Sequence, residues 1–112
     1  MVFTQVIPPF AAVSRCRGAL STDALFILDE LRRGVCLALE SEHGTTILRN
    51  EKPELVIVAH EGRDPVAILE AVTDLARAYD FQSIRYHSTR PGMERISQGR
   101  AELVERIFRR TL

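Results

Sequence analysis

Residues 54–87 constrain this chain more than any other stretch. Glu54-Leu-Val-Ile-Val-Ala-His60 is a short apolar run rich in β-branched residues, the composition of a strand buried on both faces. Asp64-Pro65 then sets an N-cap side chain beside a proline suited to the first helical position, where a missing N–H costs nothing. Val66, Ile68, Leu69, Val72, Leu75, Ala76 and Tyr79 recur at helical spacing and predict one apolar face. Residues 82–87 return as a second strand. Two strands joined by a helix of this length imply parallel neighbours and a right-handed crossover. Leu55, Ile57, Leu69, Val72 and Leu75 are then expected to be buried together. Ligands in such sheets lie outside the carboxyl ends of the strands, which here means residues 60–63 and 87–90. A further helix is expected to open at Arg90-Pro91-Gly92.

Upstream, Thr4-Gln-Val-Ile-Pro8 reads as a first strand stopped by Pro8-Pro9, and residues 10–17 as a short helix ending near Gly18. Ser21 or Thr22 caps a second helix whose buried stripe is Leu25, Phe26, Leu28 and Leu31. Arg32 and Arg33 suit its carboxyl-terminal dipole, and Gly34 suits a left-handed stop. Residues 35–39, 45–49 and the strand from Glu54 are linked by short turns at 42–44 and 50–53, which makes an antiparallel meander. The tail, 99–112, has two readings. Leu103, Val104, Ile107, Phe108 and Leu112 fit helical spacing slightly better, while a terminal strand would leave Arg109 and Arg110 near a sheet edge.

The 112 residues make one domain, and 46% hydrophobic content suffices for a core. No apolar run reaches the length of a membrane span, and the amino terminus lacks the basic start of a signal peptide, so a cytoplasmic protein without a membrane partner is expected. A net charge of zero argues against a nucleic-acid partner. Lys52 is the single lysine among 15 Lys and Arg residues. Guanidinium recognition of carboxylate or phosphate would explain that bias, and so would a GC-rich coding bias, which is the simpler account. Cys16 and Cys36 show no CxxC or Cys/His spacing; buried free thiols and no metal are expected.

The order of elements (strand, two helices, three-strand meander, crossover helix, fifth strand, helix) resembles the GCN5-related N-acetyltransferase (GNAT) fold over residues 3–98. Arg90-Pro-Gly-Met-Glu-Arg-Ile96 resembles a segment that follows the fifth strand in small GNAT-like proteins of tailed bacteriophages. Ala76-Arg-Ala-Tyr-Asp-Phe81 resembles their helix ending, with Asp80 where glycine is usual. The resemblance implies a single α+β domain over 1–112. Its mixed sheet combines the antiparallel meander with a parallel crossover and carries helices on both faces. It also turns the tail toward a strand, and it implies a phage protein acting in the infected cell's cytoplasm or in a virion.

Acetyltransferases of this fold carry a glycine-rich turn between the fourth strand and the crossover helix, whose amides hold the pyrophosphate of acetyl-CoA. Here that stretch is His60-Glu-Gly-Arg-Asp-Pro65. The resemblance makes His60, Gly62 and Arg63 the cofactor-binding positions, but only Arg63 favours an anion. Asp64 would occupy the first-turn amides, Pro65 has no N–H, and Glu61 and Asp64 would repel a diphosphate. No bound cofactor is expected.

For catalysis, His60 and His87 emerge at adjacent strand ends near Tyr86, Ser88 and Arg90, as a general base or ligand pair facing a cleft or as polar strand terminators. Glu54 lies on the fourth strand, where the resemblance implies a general-base glutamate; Glu40 is expected on a neighbouring strand, and both also read as strand-end charges. His43 belongs to an exposed turn, Met93 stands where many relatives use a tyrosine acid, and no Ser or Cys triad can be assembled. Two functions follow. One is a scaffold without the chemistry that binds a host or virion protein, and the other is an acyl-CoA-dependent N-acetyltransferase with a divergent loop. The degenerate loop favours the scaffold. A truncated tail would leave a sheet edge for a second copy, making a homodimer a further possibility.

Overall fold

The structure is a computed structural model that describes residues 3–87, 102–104 and 107–112, with backbone alone at His87, 102–104 and 107–110. The chain runs β1 (Phe3–Val6), α1 (Pro9–Arg15), α2 (Arg17–Leu20), a 3-10 turn (Ser21–Asp23), α3 (Ala24–Arg32), β2 (Cys36–Ser41), β3 (Gly44–Glu51), β4 (Glu54–Gly62), α4 (Pro65–Ala78), β5 (Ser83–His87), β6 (Glu102–Val104) and β7 (Ile107–Thr111). Among the described residues these strands form one sheet in the order β1-β2-β3-β4-β5-β7-β6. The meander β1 to β4 is antiparallel, β4 and β5 are parallel, and β7 returns antiparallel between β5 and β6. The mixed sheet and the crossover through α4 therefore stand as the sequence predicts.

Strand alternation sorts the core into two layers. Cys36, Ala38, Ile47 and Ala59 face α1–α3, where Ala12, Cys16, Leu20, Ile27 and Leu31 complete one cluster. Leu39, Leu48, Leu55, Ile84 and Tyr86 face α4 and pack against Ile68, Leu69, Val72 and Ala76. Of the expected core residues, Leu55, Leu69 and Val72 are fully buried, and Ile57 and Leu75 pack partly buried against them. Helices thus cover both faces.

Asp64 and Pro65 start α4 as expected: the Asp64 carboxylate accepts from the Ala67 N–H at 3.1 Å. Gly34 ends α3 with φ 78°. Its N–H donates to Leu31 O and that of Val35 to Glu30 O, the paired closure of a Schellman motif.

Four expectations need correction. Ser21 and Thr22 lie in the 3-10 turn and do not cap α3, which begins at Ala24 without a side-chain cap. The stripe of α3 is consequently rotated: Ile27 and Leu31 are buried with Glu30, while Leu25 is 82% and Phe26 58% exposed. The first helix does not stop near Gly18; it breaks at Cys16, and Gly18 falls inside α2. In the tail the described residues form strands, as the resemblance implies, and not the helix that their spacing favours; β7 is an interior strand, so Arg109 and Arg110 do not lie at an edge. Pairing with the free edge of β5 satisfies backbone groups that helical periodicity ignores, and Leu112 packs against the α4-side core. Among the described residues the sheet edges are β1 and β6. The helix expected at Arg90-Pro91-Gly92 lies outside the described residues.

Candidate functional site

The carboxyl end of β4 is shaped by a bulge. Ile47 pairs with Ala59 and Leu48 with Ile57, so Val58 has no opposite partner. Val58 and Ala59 both meet the α1–α3 layer, and the alternation restarts one residue out of phase. Without this bulge Glu54 and His60 would share a face. With it, His60 turns toward buried Thr46 on the α4 side, while Glu54 stays on the α1–α3 side. They also stand six residues apart on one strand, roughly 20 Å. The fold does not bring them together.

His60 is held at both ring nitrogens. Its Nε2 lies 3.0 Å from the Arg63 carbonyl, which can only accept, so Nε2 carries a proton. Its Nδ1 is 2.9 Å from Thr46 Oγ1, which donates to it in the neutral ring. The ring pins the loop that follows β4. The Arg63 N–H donates to His43 O at 2.8 Å, and the Arg63 guanidinium reaches Glu42 O at 3.3 Å. Gly62 belongs to the same closure. Its φ is 147°, and a Cβ there would lie 2.0 Å from His43 O, so this glycine serves the close approach of the β2–β3 turn. Glu61 leans the other way, with Oε1 beside Gly18 of α2. At the start of α4 the Ala67 and Ile68 N–H groups are taken by Asp64, through its side chain and its carbonyl.

Glu54 closes an ion-pair ladder at the other end of β4. Its oxygens accept from Ser83 Oγ at 2.8 Å and Arg85 Nη1 at 2.9 Å. Arg85 also bonds Glu51 at 3.0 Å, and Glu51 lies 3.5 Å from Arg49. Arg49 reaches buried Glu30 on α3 through both Nε and Nη2, and Cys36 Sγ donates to the same carboxylate at 3.7 Å. Burial works against the charge of Arg49, but the hydrogen bond and charge of Glu30 prevail and hold its pKa above the ordinary value. Burial, helped by Glu30, pushes the Cys36 thiol up to about 11; burial with Glu61 and Glu40 does the same for Cys16. Neither thiol is a nucleophile at neutral pH.

Glu40 is not a neighbour of Glu54, because β3 runs between their strands; it pairs with Arg15 and Thr45 instead. His43 is mostly buried rather than exposed, with Nδ1 lacking a partner among the described residues and Nε2 3.5 Å from Glu42. His87 ends β5 opposite Ile107 in backbone register, and its side chain lies outside the described residues, as do Ser88, Arg90 and Met93. Sequence reasoning missed the Glu30–Arg49–Glu51–Arg85 ladder. The alternation of Arg49 with Glu51 on one strand was the available signal.

Among solved structures, the chain superposes on the crystal structure of Tetrahymena GCN5 with a TM-score of 0.64. The fold is GNAT. The match covers 92% of this chain and 85% of that one at 6% identity, so it speaks for the fold and for no activity. No family model and no curated protein matches the sequence.

Proposed function

We propose that this chain is a GNAT-fold scaffold that binds another protein and does not use an acyl-CoA. One observation carries the reading: the turn between β4 and α4 is filled by the protein's own groups. A diphosphate there needs free N–H groups at the helix start. The Arg63 N–H already donates to His43 O and the Ala67 N–H to the Asp64 carboxylate. Pro65 has none to give, and the Asp64 carboxylate occupies the approach. That charge alone adds repulsion of about 1 kcal/mol or more at an effective dielectric constant near 20. Losing two amide contacts to a charged acceptor removes several kcal/mol more. The residues present do not fit the group.

The engagement of His60 by Thr46 and Arg63, and of Glu54 by Ser83 and Arg85, supports the same reading, since these side chains serve the fold. The likeness of the Arg90-Pro-Gly segment to phage proteins supports an origin in a bacteriophage. On this reading the chain acts in the infected cell or the virion on a host or virion protein. Isothermal titration with acetyl-CoA tests it. The expected dissociation constant is about 1 mM or weaker. A value below about 50 μM would overturn the reading and put an N-acetyltransferase with a divergent loop in its place.

A further inference from the structure

We propose that Lys52 is a charge-operated clamp on the carboxyl end of α4, which acylation of its side-chain amine opens. The inference does not depend on the scaffold reading above.

The end of α4 is closed by a residue that costs more than glycine there. Asp80 has φ 62°, in the left-handed region that glycine usually fills at this position. Its N–H donates to Arg77 O and that of Phe81 to Ala76 O, so the closure is a Schellman motif made without glycine. Lys52 supports this closure from the β3–β4 turn. Its Nζ donates to Tyr79 O at 2.5 Å and stands 4.3 Å from the centre of the Phe81 ring, which packs against the α4-side core. Both contacts draw on the positive charge. A cation complements the carbonyls at a helix's carboxyl end, and the face of an aromatic ring attracts one.

The backbone that carries Lys52 is held on both sides. The Lys52 N–H donates to Asn50 Oδ1 at 3.0 Å, and the Gln82 N–H donates to Pro53 O at 2.8 Å, which ties the turn to the chain just past α4. The Lys52 side chain, by contrast, is exposed among the described residues, so its head leaves Tyr79 O briefly whenever the rotamer changes. Lys52 is also the single lysine among 15 Lys and Arg residues. Guanidinium groups stay protonated and do not attack acyl donors, so one side chain forms a stable amide. The ammonium first gives a proton to water. The free amine then attacks the acyl carbon of a thioester or an activated ester. An N–C bond forms, the bond to the leaving thiol or alcohol breaks, and a second proton from the nitrogen departs with that group. The amide is neutral, and the attraction to the helix end and to the Phe81 ring goes with the charge.

The test is amide hydrogen exchange, read by NMR on the full chain before and after two modifications. N-hydroxysuccinimidyl acetate discharges Lys52, whereas reductive methylation with formaldehyde and cyanoborohydride keeps its charge, and mass spectrometry confirms each product at Lys52. Acetylation should speed exchange of the Asp80 and Phe81 amides about tenfold, the effect of losing a helix-end and a ring contact of ordinary strength. The Ala67 and Ile68 amides at the opposite end of α4 open without disturbing Lys52 and should keep their rates. Methylation should leave all four unchanged. Lys52→Gln should reproduce the acetylated rates without any reagent. Lys52→Arg keeps a cation and should hold Asp80 and Phe81 within about threefold of native, with or without the acetylating reagent. Unchanged exchange at Asp80 and Phe81 after acetylation would overturn the clamp. So would an equal rise after methylation, which would remove charge as the cause, or an equal rise at Ala67 and Ile68, which would make the effect general rather than local.

Discussion

Asp64 does two jobs that three substitutions separate. It caps α4 by accepting from the Ala67 N–H at 3.1 Å, and it occupies a left-handed backbone conformation with φ 52° and ψ 64°. Asparagine can do both, since its amide oxygen also caps and its short polar side chain tolerates this region. Glycine relaxes the backbone but loses the cap hydrogen bond. Alanine loses both. The cap is worth about 1 kcal/mol, and a left-handed conformation costs an ordinary residue roughly 1–2 kcal/mol. Asp64→Ala should therefore lose about 2–3 kcal/mol, Asp64→Gly about 1 kcal/mol or less, and Asp64→Asn within about 0.5 kcal/mol. Urea unfolding followed by circular dichroism, fitted with a common slope, measures all three. The order Ala, Gly, Asn is the content of the prediction. If alanine proved as stable as asparagine, neither cap nor backbone strain would act at this position, and the turn would have to be held for another reason, such as a ligand.

Three further outcomes follow from burial. Leu69→Ala should cost about 2–5 kcal/mol, because the side chain is 2% exposed in the α4-side core; a loss under about 1 kcal/mol in the same urea assay would place α4 elsewhere. Glu30→Leu strands a largely buried Arg49, and Arg49→Met strands Glu30, so each should cost about 2–4 kcal/mol. The double variant Glu30→Leu/Arg49→Met should cost less than the sum by at least about 1 kcal/mol, and additivity would refute the pairing. The thiols of Cys16 and Cys36 are raised from 9.0 to about 11 in the fold. Their neutral form is the folded form, so their contribution is full below pH 9 and is lost as pH rises toward 11. The fall in urea midpoint over that range should shrink in a Cys16→Ala/Cys36→Ala variant, and an unchanged fall would count against the shift.

The clearest contrast between sequence and structure lies along β4. Its β-branched run, and the Asp64-Pro65 start of α4, act through neighbours in the chain, and the strand, the helix and their parallel crossover were legible for that reason. So was the closure at Gly34, which depends on one residue's freedom to adopt positive φ. The face on which His60 appears was not legible. A bulge at Val58 is set by the pairing of β4 with β3, and it turns His60 away from the side on which Glu54 lies. The roles of Gly62 and Arg63 were likewise hidden, because their partner is His43 O on a turn nearly 20 residues earlier.

At the ends of the chain the sequence was silent or misleading for the same reason. Leu25 and Phe26 have the apolar character of a core stripe, but Ile27 and Leu31 take the sheet-facing positions once α3 starts at Ala24. The tail carries helical spacing, and the free edge of β5 makes it a strand. Local preference is worth tenths of a kcal/mol per residue, whereas a satisfied strand edge and a buried side chain are worth about 1 kcal/mol or more each. The sequence by itself determined which segments are strands and helices where caps, turns and β-branched runs agree. Which residues share a face and which edges pair depended on contacts between distant segments, and only the tertiary structure decided them.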